Sequence, residues 1–535
     1  MTRLADLEVL VLDAQATGAS PAHGAVLELA HAVTRASDRA ELEIAARWIE
    51  LPRGVRVSRI VRELTGYTDA CGHDALAPRD AWGDVTSAAA RVRADGAAPT
   101  LIHFAQFETP FLVDLHARFG AGAPFPLEIV CLHAVARRLY PDLPRSNIRA
   151  LAGFLGHTTP HERRARGHVL ATAHVWSILT ERLAERDITS WEALVAFLGS
   201  TPSRRSKRTF PMDKALRAAL PDAPGVYRFK RSNGDVLYVG KAASLKKRVA
   251  GHYAAAKRAP ARSQEMLTQA LDIDFTVTPT PLDAALLEVD EIKRLDPPYN
   301  VHLRDRSAWF VNRALDDASS EVDDAHPVGP LPAPNTTFGL GALLAYRRTR
   351  EAEARIRARA MQVPIAFAPD EETFRAAFAR FEEAHALAPA RGRDLALHRV
   401  ARRLALREEA EPETPTEDVR RWDVPRVLRH LERSAGAGAR AISRARWLAI
   451  LIGAKVDVVD IGVARSFEPM HVAASTLRER QRAFDGPRYD RLRVFGTELK
   501  RIASAGGHVA IEVRGANGAP VTLGGPRLAA LLLQS

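Results

Sequence analysis

Pro224-Gly225-Val226-Tyr227-Arg228-Phe229-Lys230 is followed, across Arg231-Ser232-Asn233-Gly234-Asp235, by Val236-Leu237-Tyr238-Val239-Gly240-Lys241. Two short runs rich in β-branched and aromatic residues flank an Asn-Gly pair, which supplies the positive-φ positions of a hairpin turn. Strands are therefore expected at 225–229 and 236–239. A basic helix follows at 244–256, then a strand at 274–277. A helix at 282–295 must stop before Pro297-Pro298, because the residue preceding a proline is pushed out of the helical region. These elements describe a small α+β unit.

Further signature pieces lie in order along the same stretch: Leu245-Lys246-Lys247-Arg248, Ala285-Leu286-Leu287-Glu288 and Pro298-Tyr299-Asn300-Val301. Taken singly, a tyrosine in a strand is usually core and a glutamate on a helix is usually solvated. Five matched elements between Met212 and Arg306 are hard to produce by chance. This stretch resembles the GIY-YIG nuclease domain, in the version found in UvrC-type excinucleases and their shorter Cho-type relatives.

The resemblance implies hydrolysis of a DNA phosphodiester. That chemistry needs an activated water, positive charge beside the phosphate and help for the leaving oxygen. Glu288, on an otherwise apolar helix face, would hold a single Mg²⁺ or Mn²⁺, a hard cation that keeps most of its waters. Tyr227 and Tyr238 are expected side by side on neighbouring strands, pointing into the groove. Tyr238 is taken as the base and Tyr227 as its support, and a phenol in that role needs cations nearby. Lys241 and the metal site would provide them. Arg248 would grip the phosphate with its planar fork. Lys246 and Lys247 would contact the DNA backbone, with Tyr253 and Asn300 completing the pocket.

Charge agrees with a polyanionic partner. The 535-residue chain carries a net charge of +12, and 16 Lys or Arg against 3 Asp or Glu fall between Ser203 and Arg262. That local excess covers the whole imbalance, which suits nucleic acid held at one place. Only Cys71 and Cys131 are present, which excludes a disulfide scaffold and a Cys-rich zinc module and suits a reducing compartment. No run approaches the ~20 apolar residues of a membrane helix, and no signal-peptide pattern opens the chain. A cytoplasmic protein without a membrane partner is the expectation.

Residues 1–198 read as an α/β domain, with buried strands at 7–12 and 99–103 and helices at 111–119 and 169–183. Three pieces carry a second resemblance: Val11-Leu12-Asp13-Ala14-Gln15-Ala16-Thr17-Gly18, Ile102-His103-Phe104-Ala105-Gln106-Phe107-Glu108 and Gly167-His168-Val169-Leu170-Ala171-Thr172-Ala173. They resemble DEDDh exonucleases, the ribonuclease-H-like fold of the DNA polymerase III epsilon family, which cuts with two metal ions on four carboxylates and a histidine base. Asp13 is kept. Gln15 stands where a Glu is expected, Glu108 where an Asp is, His168 where the last Asp is, and Arg163 at the base position. Two cations about 4 Å apart need several negative ligands between them, so this site is expected to be vestigial.

The remaining assignments are a basic linker at 199–211, the nuclease domain at 212–310 and a connector with little periodicity at 311–345. Residues 346–535 form a mostly helical region, helical over 346–410 and 425–450. It has a loop at 409–417 and ends in a β-hairpin of 509–513 and 520–523 turned at Asn517-Gly518. The whole is a multidomain α+β chain: ribonuclease-H-like exonuclease fold, GIY-YIG domain, helical C-terminal region. The expected activity is a single metal-dependent incision in nucleotide excision repair, acting on damaged or structured duplex DNA with a UvrB-like loader. An active 3′–5′ exonuclease in the N-terminal domain is one rival; a non-catalytic DNA-binding scaffold is the other.

Overall fold

In the computed structural model, residues 2–38, 40–93, 96–158, 164–200, 209–256, 258–301, 303, 308–321, 323–388, 394–406, 422–470, 486–514 and 520–523 are described. The linker core, Arg163, the 409–417 loop and the Asn517-Gly518 turn lie outside them. No helix among the described residues is long and apolar enough to cross a membrane.

The first domain is built on strands β1 (Val9–Ala16), β2 (Val26–Thr34), β3 (Ala45–Trp48), β4 (Ala98–Ile102) and β5 (Leu127–Cys131). Their order is β3-β2-β1-β4-β5, antiparallel through the first three and parallel from β1 to β5. That arrangement is ribonuclease-H-like. Alternation along β1 sends Val9 and Val11 into one apolar layer and Leu10 and Leu12 into the other, so helices cover both faces. Asp13 is the next residue, buried within the strand.

The second domain holds β6 (Gly225–Lys230), β7 (Val236–Ala242) and β8 (Asp272–Val277), antiparallel in the order β7-β6-β8. Gly234 takes φ +89° in the turn between the first two, the conformation that Asn-Gly signalled. One face carries Tyr227 and Phe229 against the helices Leu245–Ala255 and Ala261–Gln269. The other packs Val226 and Val239 against the helix Pro281–Leu295. That helix starts on the Thr280 hydroxyl, which accepts from the Asp283 amide at 3.2 Å, with Pro281 in its first turn.

A polar seam fixes the two domains together. The Asn147 amide donates to Glu265 Oε2 at 2.7 Å and Arg145 Nε to Gln264 Oε1 at 3.1 Å. The other Glu265 oxygen accepts from the buried Tyr299 hydroxyl at 2.7 Å.

Beyond residue 308 the sequence reading needs two corrections. The stretch 311–345 is not an irregular connector: β9 (Trp309–Val311), β10 (Ala318–Ser319) and β11 (Val328–Leu331) form a sheet, and the helix Phe338–Thr349 begins within it. Strands of two to four residues are too short to show a period. The C-terminal region also holds more than helices and a hairpin. β12 (Ala454–Asp460) and β13 (Val463–Phe467) extend β14 (His508–Arg514) and β15 (Pro520–Leu523) into a four-stranded sheet. The helix Gly486–Ser504 packs Tyr489, Leu492, Phe495 and Leu499 into one apolar cluster with Leu282 and Leu286 of the Pro281–Leu295 helix. The C-terminal region is thereby seated on the helix that carries Glu288.

Candidate active site

Register sets the two tyrosines. In the β6–β7 ladder Tyr227 faces Gly240 and Phe229 faces Tyr238, so the phenols lie diagonally across the pair with ring centroids 6.0 Å apart. Gly240 makes this possible: a Cβ there would sit 2.5 Å from the Tyr227 hydroxyl oxygen and 2.7 Å from the Tyr238 ring. The expectation that both phenols point into a groove needs correcting. Tyr227 is fully buried and Tyr238 only partly so, which leaves Tyr238 as the phenol at the surface and Tyr227 beneath it.

The helix Leu245–Ala255 starts on Ser244, whose hydroxyl accepts from the Lys247 amide at 3.2 Å. Leu245 and Val249 turn inward, while Lys246, Lys247 and Arg248 are exposed. Lys247 pairs with Asp222 at 3.3 Å, with both side chains largely in solvent. The Arg248 guanidinium lies near both phenols, which raise it above its ordinary range. Burial raises Tyr227 well above the ordinary phenol range, and Tyr238 adds to the effect. Burial also raises Tyr238, with the Glu288 carboxylate reinforcing it and Arg248 opposing it.

Glu288 Oε1 accepts from the backbone N–H of Lys241 at 2.9 Å. Burial pushes its carboxyl above the ordinary range; that backbone N–H and the charges of Lys241 and Arg248 pull it back down. No group of three His, Cys, Asp or Glu converges here among the described residues. One carboxylate with cations beside it does not suit a bare, protein-caged ion. It does suit a hydrated hard cation that takes one carboxylate and fills its other positions with oxygen from solvent and substrate.

Asn300 and Tyr253, expected to complete the pocket, make structural contacts. Asn300 is buried; its Oδ1 accepts from Val239 N at 3.0 Å and its Nδ2 donates to Val239 O at 2.9 Å. β7 is the sheet edge, so this amide occupies the place of a further strand. Tyr253 packs in the core against Phe210 and Phe229, with its hydroxyl on Met212 Sδ at 3.3 Å and Arg217 over its ring at 3.9 Å. The neighbouring residue reaches the Tyr227 phenol. His252 Nε2 shares a 2.6 Å hydrogen bond with the Tyr227 hydroxyl. The sequence signal was helical spacing: His252 lies four residues after Arg248, on the same side of the helix.

In the N-terminal domain Asp13, Gln15 and His168 do come together. Asp13 Oδ2 accepts from Gln15 Nε2 at 2.7 Å, and Oδ1 lies 3.0 Å from His168 Nδ1. Glu108 Oε2 accepts from the Ala14 amide at 2.8 Å; burial, and next the Asp13 charge, holds its carboxyl well above the ordinary range. These residues line a cavity of about 520 Å³ together with His103, His133 and Arg137. The donors bonded to Asp13 stand where cations would have to be, so a two-cation site does not fit the residues present.

The chain carries a UvrC-like GIY-YIG domain: residues 223–301 match the model of that family. UvrABC system protein C of Rhizobium etli is 52% identical over 90 residues, covering 17% of this chain and 13% of that protein. The corresponding protein of Alkalilimnicola ehrlichii is 49% identical over 100 residues, covering 18% and 16%. A protein of Mycobacterium tuberculosis named as a bifunctional exonuclease/endonuclease is 29% identical over 259 residues, 47% of this chain and 39% of that one. The chain thus spans well under half the length of each of these relatives. Among solved structures, the magnesium-bound N-terminal endonuclease domain of UvrC from Thermotoga maritima aligns over 17% of this chain and 100% of its own, at 28% identity and TM-score 0.16. E. coli exonuclease I in complex with an oligonucleotide aligns over 42% and 48%, at 12% identity and TM-score 0.29.

Proposed function

We propose that this protein is a metal-dependent endonuclease that hydrolyses one strand of DNA, making a single incision in excision repair. The observation that carries the reading is the convergence of the Glu288 carboxylate, the Arg248 guanidinium and the Tyr238 phenol at one partly exposed site, beside a helix presenting Lys246 and Lys247. Such a surface can neutralise a phosphodiester backbone and place one phosphate against a carboxylate-held cation.

In this reading Glu288 would hold a Mg²⁺ or Mn²⁺ ion, which would supply positive charge to the phosphate. Arg248 binds the phosphate through its fork and stabilises charge as the bond breaks. Tyr238 orients the attacking water and receives its proton. Its phenol is raised by burial, so it depends on Arg248 and the Lys241 ammonium to make the deprotonated form accessible. Tyr227, bonded to His252, packs beneath Tyr238. Lys246 and Lys247 contact neighbouring phosphates. A UvrB-like loading protein is the proposed partner. The N-terminal domain keeps the exonuclease fold without cutting.

The test is a duplex with one bulky lesion, labelled at either end and incubated with Mg²⁺ or Mn²⁺, with and without a damage-loading protein. Wild type should give a discrete internal cut that is lost in Glu288→Ala and kept in Asp13→Ala. A ladder of shortened 3′ ends, lost in Asp13→Ala, would overturn the assignment in favour of the exonuclease domain. Binding without cleavage in every arm would leave a scaffold.

A further inference from the structure

Lys241 is gripped twice. Its backbone N–H donates to Glu288, and its ammonium is ion-paired with Glu498. Glu498 belongs to the C-terminal helix Gly486–Ser504, more than 190 residues beyond the matched family stretch 223–301. We infer that Glu498 is a positioning residue of the nuclease site, supplied by the C-terminal region to hold the Lys241 side chain in place. The inference rests on the reading of Lys241 and Glu288 as nuclease residues.

Two alternatives can be separated on geometry. A carboxylate that merely masks an active-site lysine should be exposed and free to swing away. Glu498 is buried, 6% exposed, and its other oxygen accepts from Arg501 Nε at 2.6 Å. Arg501 in turn donates to Asp460 Oδ2 on β12 at 2.7 Å. The row Lys241, Glu498, Arg501, Asp460 alternates in sign and is anchored in a strand, so the carboxylate has fixed partners on both sides. The helix bearing it is equally fixed. Asp490, fully buried, pairs with Lys293 at 2.9 Å, Arg491 pairs with Asp290, and Arg465 of β13 reaches Asp283 at 3.1 Å. Leu492, Phe495 and Leu499 share an apolar cluster with Leu282 and Leu286. This is a wall of the site, not a lid.

The Lys241 side chain nevertheless keeps 38% of its surface exposed. Its ammonium has three donors, and Glu498 leaves room for a phosphate oxygen. Tethering a long, flexible side chain beforehand removes an ordering cost from the step in which it must meet developing charge. A residue acting this way lowers the barrier after substrate has bound, so its loss should fall on kcat more than on KM.

Two readouts on the full chain test this. The first needs no activity: pulse acylation with acetic anhydride, read by peptide mass spectrometry, follows how well each lysine is shielded. Glu498→Gln should raise labelling of Lys241 several-fold and leave Lys246 unchanged. The second is a double-substitution cycle on DNA incision. Glu498→Gln should lower kcat about tenfold with KM nearly constant, Glu498→Asp should recover part of the loss, and Glu498→Gln should add nothing once Lys241→Met is present. Unchanged Lys241 labelling, faster cutting by Glu498→Gln, or additive losses in the cycle would each overturn the inference. If wild type makes no incision while Lys241 labelling responds as expected, the ion pair stands and it is the nuclease reading that fails, taking the positioning role with it.

Discussion

The hydroxyl of Tyr227 and Nε2 of His252 lie 2.6 Å apart, joining the first strand of the nuclease sheet to the helix that carries Arg248. Burial, and next the Arg248 charge, lowers His252 to about 4, so near neutrality the imidazole is uncharged. An uncharged ring leaves Arg248 as the cation facing the phenols and lets His252 orient Tyr227 without competing for the phosphate. His252→Phe keeps the ring contacts with Tyr227 and Phe229 but removes the hydrogen bond, and should lower kcat for incision by about tenfold. His252→Gln, which can still bond the phenol, should lose less. Equal losses in steady-state assays of both variants would mean that the bond itself is unimportant.

The same depression gives the fold an acid-sensitive side. His252 is lowered to about 4 and His103, by burial first and then by His133, to about 3, against an ordinary 6.5. Between pH 6.5 and 4 the unfolded chain binds protons at these rings that the native chain does not. The contribution of these two rings to native stability is therefore fully present above about pH 6.5 and is progressively lost as the pH falls toward 4, while Glu108 and Glu288, raised by burial, act in the opposite sense. Thermal unfolding followed across that range should show a falling midpoint. The decline should be shallower in His252→Gln, whose side chain does not titrate. A wild-type midpoint that is flat from pH 7 to 4.5 would contradict the assignment of these rings as neutral.

Asn300 illustrates a residue whose position was legible and whose job was not. The resemblance placed it in the pocket, and in the fold its Oδ1 and Nδ2 each bond the Val239 backbone. Asn300→Ala leaves a buried N–H and C=O on the edge strand without partners, at roughly 1–3 kcal/mol each. The variant should unfold at clearly lower denaturant concentration. Its DNA affinity, measured by fluorescence anisotropy well below the midpoint, should change little. Wild-type stability with weakened binding would restore the direct DNA role.

The hairpin and helices of the nuclease domain were readable because their signals are local: Asn233-Gly234 in the turn, apolar periodicity, a proline stop. Asp13, Gln15 and His168, singled out by the resemblance and not by any local signal, lie in contact in the fold. His252 was missed although its spacing of four residues from Arg248 places it on the same side of the Leu245–Ala255 helix. The strands between Trp309 and Leu331 escaped because two to four residues cannot show a period. β12 was available in principle, since Ala454, Val456 and Val458 alternate inward along it. Glu498 was beyond reach: nothing local marks a glutamate on a helix as the partner of a lysine 257 residues earlier.

In the N-terminal pocket the residues at the exonuclease-like motif positions bond one another. Asp13 is satisfied by Gln15 and His168, and Glu108 by the Ala14 amide. The arrangement is closed without cations, and protein donors hold the carboxylate that cations would need. Titration calorimetry with Mn²⁺ in a Glu288→Gln background, which removes the nuclease carboxylate, should detect no binding. Adding Gln15→Glu and His168→Asp gives the pocket four carboxyl groups and removes both donors from Asp13. Their mutual repulsion should be relieved by divalent ions, so Mn²⁺ should now bind and raise the unfolding midpoint. Mn²⁺ binding already present in Glu288→Gln and lost on adding Asp13→Ala would show that the pocket is a working metal site, and the exonuclease rival would then have to be taken up again.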